Sequence, residues 1–225
     1  VDLSEIGAAN CYIVSKAGAY SFDADKIGIG EFGLVEGANF HTTNTAITPS
    51  SAELLWEDRN GVITAVSYKD KRISFLATGQ EGNAVIAAKD DAGNIIWSWH
   101  IWAITMENPM EPTHWSRGNT WLMSDINLGA TSKAHNDENA YGLYYQWGRK
   151  DPFPADPSKC VFNTGVQMKG QSSKDAAVTA NAVAYAVAHP TVFLYQNDYY
   201  TWISSETEVN NAQSLWNNTT DKTKK

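Results

Sequence analysis

The sequence predicts a mainly-β protein, an N-terminal β-sandwich followed by a smaller α+β region. Three observations predict it. Short runs of alternating apolar and polar residues recur between Gly, Asn and Asp turns at roughly 8–12-residue spacing, the rhythm of a sandwich. Nine Trp and ten Tyr supply large rings for β-cores or for flat ligands. The texture also changes after "ENPMEPTHWSRGN", where prolines and turn residues gather. The expected organisation is a β-sandwich over 1–107, a linker over 108–119 and an α+β region over 120–225.

The strands follow in order. "NCYIVS" and "AYSFDA" flank "KAG", which reads as a hairpin turn. "SAELLWED" runs through "RNG" into "VITAVSY"; then come "RISFLAT" and "AVIAAKD". "DAGN", with Gly93 suited to positive φ, turns the chain into "IIWSWHIWAI". Alternation in that last run puts Ile95, Trp97, Trp99 and Ile101 on a core face. Ile96, Ser98, His100 and Trp102 take a face that is half-exposed or covered by another domain. Residues 23–50 are Gly-rich and weakly patterned, a long loop. In the second half "TWLMSDINLGATS" reads as strand and turn, and "TVFLYQNDYYTW" as strand-like. "SSKDAAVTANAVAYAVAHP" is one helix, with Ser172 and Asp175 as a capping box, His189 at its C-terminal end and Pro190 as the stop.

Composition narrows the function. Of 225 residues 43% are hydrophobic and 19% charged, a globular balance. The net charge of −8, without a basic cluster before the last few residues, argues against nucleic acid or an anionic membrane as partner. No apolar run is long enough for a membrane span. The opening "VDLSEIGAAN" is no signal peptide, and the chain reads as a mature or cut segment. Cys11, in an alternating run, reads as a small buried thiol, and a bridge to Cys160 stays open. No zinc-spaced Cys/His cluster occurs, and neither a metal nor a cofactor is expected.

The chemistry-bearing motifs have ordinary readings. There is no GxSxG elbow and no HExxH. His100, inside a Trp-rich strand, reads as a satisfied histidine rather than a base. "GIGEFG" at 28–33 opens no helix and reads as a β-connection rather than a phosphate cradle. Glu53, Glu57 and Asp58 around Trp56 read as strand-edge and turn residues rather than a glycosidase pair. "HNDENA" and "KDPFPADPS" lack EF-hand spacing and read as Asx turns.

Aromatic residues remain. In "YGLYYQWGRKDPFP", 141–154, Tyr141, Leu143, Tyr145 and Trp147 share one strand face and Tyr144, Gln146 and Gly148 the other, so the stretch reads first as a core strand and its exit loop. The functional alternative is a stacking platform for sugar rings, from Tyr144, Trp147 and Phe153, or from Tyr199, Tyr200 and Trp202. Arg149 offers two parallel hydrogen bonds to a carboxylate, or pairs internally with an Asp of the following loop.

The blocks "ANCYIVSKAGAYSF", "AVIAAKDDAGNIIWSWHIW", "WLMSDINLGATS", "YGLYYQWGRKDPF" and "AHPTVFLYQNDYYTW" together resemble fimbrillin-like or adhesin-like surface lipoproteins of gut Bacteroides. Their C-terminal region is similar to the Fibrobacter succinogenes major paralogous domain, a C-type-lectin-like fold. The resemblance implies secretion, a lipid anchor upstream of this segment, an outer-membrane or extracellular surface location, and a C-terminal region that continues past Lys225. The EPN and QPD calcium–sugar triplets are missing, and no calcium site is carried over. The expected function is non-enzymatic adhesion or a pilus-associated role, binding glycans or protein partners through Trp147, Arg149, Tyr199, Tyr200 and Trp202. The alternatives are a polysaccharide-acting enzyme and a purely structural surface or pilus subunit.

Overall fold

The computed structural model describes residues 1–5, 7–27, 46–105, 110–114, 120–146, 148–195 and 202. Strands dominate, as the sequence predicts. The first seven are β1 (Cys11–Val14), β2 (Gly18–Asp23), β3 (Ser51–Glu57), β4 (Ile63–Lys69), β5 (Arg72–Ala77), β6 (Gly82–Lys89) and β7 (Ile95–Ala103). They match the alternating runs almost residue for residue. The larger sheet has the order β1-β7-β6-β3, extended at the β3 edge by β12 (Val161–Phe162); the smaller has the order β2-β5-β4.

β1 and β2 are not the hairpin that "KAG" suggests. β1 pairs in parallel with β7 in the larger sheet, while β2 pairs antiparallel with β5 in the smaller. Ring packing accounts for the crossing. Tyr12 of β1 stacks on Phe22 of β2 with centroids 4.8 Å apart, and Phe22 in turn meets Trp99 of β7 at 5.1 Å. Both sheets thus feed one apolar cluster, including Phe22, Ile73 and Phe75 from the smaller and Val14, Ile86, Trp99 and Ile101 from the larger. Truncating a ring such as Phe22 in this cluster costs about 3–5 kcal/mol.

β6 and β7 are buried on both faces, which explains their apolar content. Ala84, Ile86 and Ala88 face the main cluster; Val85 and Ala87 face a second one with Leu55 and Trp56. On β7 the expected alternation holds from Trp97 onward but slips at its start. A bulge between the Ala88 and Lys89 pairings sends Ile96 to the main cluster and Ile95 to the opposite face.

Past β7 the elements are smaller. β8 (Met110–His114), inside the stretch expected as a linker, pairs antiparallel with β9 (Thr120–Ser124). β10 (Tyr144–Tyr145) pairs with β11 (Pro152–Phe153), and β13 (Lys169–Ser172) runs parallel to β14 (Val192–Tyr195). The long strand read into residues 141–148 is therefore only two residues of β10, and Tyr141 and Tyr144 both face solvent.

The single helix expected over 172–189 is two short ones, α1 (Ala176–Thr179) and α2 (Ala182–Ala188). Asn181 breaks the run. It adopts an extended conformation and accepts from the Ala184 amide at 2.9 Å, capping a new helix instead of continuing the old. The expected cap residue Ser172 ends β13, and Asp175 is the N-cap of α1 by backbone position, without a side-chain bond. Among the described residues, no helix is long and apolar enough to cross a membrane.

Candidate functional site

The end of β3 builds the first wall of a cleft. Buried Glu57 accepts from the backbone amides of Gly61 at 2.6 Å and Val62 at 2.9 Å, closing the β3–β4 turn and fixing Asp58 and Arg59 on it. Asn83 of β6 grips the Asp58 carboxylate, its amide N–H donating to Oδ1 at 2.7 Å and its side-chain Nδ2 to Oδ2 at 2.6 Å. The approach depends on Gly82: a Cβ there would lie 2.5 Å from Asp58 Oδ1 on a backbone with φ +152°. Burial raises the Asp58 carboxyl above the usual range, and the Asn83 donors partly offset it.

The other walls come from two turns that both read as Asx turns in sequence. Asp137 accepts from the Asn139 amide at 3.0 Å and caps a single 3-10 turn, Glu138–Ala140. Asp156 does the same for the Ser158 amide at 3.0 Å and the turn Pro157–Lys159. The first turn is drawn in where the Leu143 amide donates to Leu128 O at 2.9 Å. Gly142 makes that possible, since a Cβ there would sit 2.5 Å from the same carbonyl oxygen. Lys159 bridges the turns by pairing with Glu138 at 2.8 Å. Arg59 donates from Nη2 to Thr131 Oγ1 at 3.1 Å and to Asn139 Oδ1.

The resulting cleft holds about 320 Å³, within the range of small-ligand sites. Donors and acceptors alternate around it: Asp58, Arg59, Asn139, Asp156 and Lys159, with Tyr141, 63% exposed, beside them. Arg59 keeps Nη1 and Nε without hydrogen-bond partners among the described residues. Cys160 also lines the cleft, but burial and then the charges of Asp58 and Asp156 push its thiol up to about 12, so it stays protonated. Neither cysteine is bridged. Among the described residues, no group of three or more His, Cys, Asp and Glu is arranged to hold a metal ion.

Behind the cleft a polar chain runs inward. Asn83 Nδ2 also donates to Gly129 O at 2.8 Å, which leaves its Oδ1 to accept from His100 Nε2 at 2.8 Å. His100 Nδ1 then carries the lone pair and faces the Tyr145 hydroxyl at 3.1 Å and Cys11 Sγ at 3.2 Å. Burial alone lowers the imidazole to about 3. The sequence reading of His100 as a satisfied histidine is what the contacts describe.

Of the five residues expected to bind ligand, Trp147, Tyr199 and Tyr200 lie outside the described residues. Arg149 is 7% exposed and faces inward. Its Nη1 donates to Gln146 Oε1 at 2.9 Å and Val192 O at 2.5 Å, and its Nη2 to His189 O at 2.7 Å and Ala186 O at 3.2 Å. It therefore clamps the C-terminal end of α2 to β14, with Asp151 Oδ2 at 3.7 Å from Nε as its ionic neighbour. Trp202, 6% exposed, packs with Val178, Ala182, Ala186, Val192 and Leu194. Lys150 is likewise turned inward, donating to Asp151 Oδ1 at 2.6 Å and Ser98 Oγ at 2.5 Å. The RKD triplet is a buried buttress.

The cleft residues Arg59, Asn139, Tyr141 and Lys159 carry no motif in sequence. Their one signal is that the two Asx-rich loops, 135–140 and 150–158, hold unusually many side-chain oxygens, and their convergence on the β3–β4 turn is visible only in three dimensions. The chain matches no family model, no curated protein and no solved structure.

Proposed function

We propose that this is a non-enzymatic cell-surface adhesion or pilus-associated protein, of the fimbrillin-like or adhesin-like kind its sequence blocks resemble, and that it holds a glycan in the cleft beside Tyr141. One observation carries the reading. The cleft mixes carboxylates, an amide, a guanidinium and an ammonium around one exposed ring, and neither sign of charge dominates. A neutral sugar suits such a lining, because each hydroxyl both donates and accepts and its C–H face packs on an aromatic ring.

The alternative, a polysaccharide-acting enzyme, has the raised Asp58 carboxyl in its favour. Glycoside hydrolysis needs two carboxyl groups free to act on opposite sides of the bond. Here Asp58 is held at both oxygens by Asn83, Asp156 by Ser158, and Glu138 by Lys159. These engagements favour grip over cleavage.

The test is a glycan array probed with the wild-type chain and with Arg59→Ala and Tyr141→Ala, each first checked for native circular dichroism. Specific binding that weakens about tenfold or more in both variants, a loss of about 1.4 kcal/mol, is the expected outcome. Silence of the wild type across the array, or binding that both variants retain in full, overturns the reading.

A further inference from the structure

We infer that the cleft is one end of a longer site and that its ligand is an oligosaccharide chain rather than a single sugar; this rests on the sugar-binding reading above. A second groove of about 450 Å³ lies where β3 begins, lined among others by Glu53, Lys89, Asn94, Gln167, Lys169 and His189. The same two antiparallel segments carry both depressions. Glu53 and Leu55 of β3 line the groove, while Asp58, just past the end of the strand, lines the cleft. On the facing segment, Lys159 and Cys160 line the cleft while residues 164–167 line the groove. Between them Val161 pairs with Glu57 and Phe162 with Trp56, and the Asn163 amide donates to Leu55 O at 2.9 Å.

This register sets the distance between the depressions. From Glu53 to Asp58 a strand with one bulge spans roughly 15 Å. That exceeds one sugar ring and suits a short chain laid along β12, where Val161 presents an apolar side chain that is 42% exposed. The floor beneath is one packed unit. Leu143 and Cys160 at the cleft, and Leu55, Ile95 and Val166 at the groove, belong to the same apolar cluster around Trp56 and Val85. Two subsites held at a fixed separation favour a ligand that reaches both, since the second contact is then intramolecular.

The groove has polar groups for such a ligand. Among the described residues, the Gln167 amide and the Lys169 ammonium have no hydrogen-bond partner. His189 Nδ1 donates to Tyr185 O at 2.8 Å, because a carbonyl only accepts, and this contact leaves Nε2 unengaged by it. Stacking on Tyr185 with centroids 3.9 Å apart holds the ring in place.

The experiment is calorimetric titration of the whole chain with cello-, xylo- and manno-oligosaccharides of two to six rings, repeated with the double variant Gln167→Ala/Lys169→Ala. For the ladder that binds, affinity is expected to rise about tenfold or more from two rings to six. The double variant is expected to abolish that rise while leaving the two-ring Kd unchanged. Equal affinity for short and long chains, or a double variant that leaves the rise intact, overturns the extended site while the cleft reading stands. If the two-ring sugar binds and the double variant weakens it as much as the six-ring one, the groove acts on the cleft's structure and the inference also falls. If no ladder binds the wild type, the extended site falls, and the glycan array decides whether the cleft reading falls with it.

Discussion

Cys11 Sγ lies 3.2 Å from His100 Nδ1, yet the pair is the inverse of a reactive thiol–imidazole couple. A nucleophilic couple holds a thiolate against an imidazolium. Here burial pushes the thiol up to about 12 and the imidazole down to about 3, so both are neutral around pH 7. The contact ties an edge strand to a central one.

That neutrality predicts the labelling behaviour of Cys11. In a Cys160→Ser background at pH 8, iodoacetamide should modify native Cys11 at least about a hundredfold more slowly than the urea-unfolded chain, because its thiolate is scarce. Comparable rates in the two states would mean that β1 opens readily or that the thiol is not buried against His100.

His100 also predicts an acid limb of stability. The folded chain keeps the imidazole neutral down to about 3, whereas the unfolded chain takes up the proton from about 6.5 downward. The contribution is therefore fully present above 6.5 and is lost as pH falls toward 3, at about 1.4 kcal/mol per pH unit. His100→Gln keeps a donor toward Asn83 and an acceptor toward Tyr145 but has no proton to gain. Urea unfolding at several pH values between 7 and 4 should show wild type losing stability relative to the variant. Parallel curves would refute the assignment.

Arg149 predicts the cost of a missing clamp. Arg149→Met removes the donors to Val192 O, Ala186 O and His189 O and leaves the buried Asp151 without its guanidinium neighbour. Breaking such a buried charged group costs about 3–5 kcal/mol. The urea midpoint should drop accordingly. A loss under 1 kcal/mol would make Arg149 a bystander.

What the sequence makes legible follows from how local each feature is. Strands β3 to β7 are readable because their burial is written in alternation or in unbroken apolar runs such as "AVIAA", and most of their turns in Gly and Asn, the β4–β5 turn being Asp70 and Lys71. The β1–β2 crossing is not, because a turn dipeptide says only that the chain bends, while ring contacts such as Tyr12 on Phe22 decide which sheet each strand joins. The broken helix turns on Asn181, a residue disfavoured inside a helix and preferred at a cap, whose signal is masked by the Ala-rich run on both sides of it. The cleft was the least legible part. Its walls come from three stretches that each look like an ordinary polar turn, and the Asn83–Asp58 grip that sets its depth spans 25 positions.

The parallel pairing of β1 with β7 has a consequence for synthesis. Its partners, Cys11 to Val14 against His100 to Ala103, are separated by about two-fifths of the sequence. A chain emerging N-terminus first must therefore complete β7 before β1 has its partner strand to dock on. Until then Tyr12 and Val14 stay out of the core, and Cys11 is an ordinary thiol in whatever compartment the growing chain occupies. β1 precedes its partner in sequence yet follows it into the sheet.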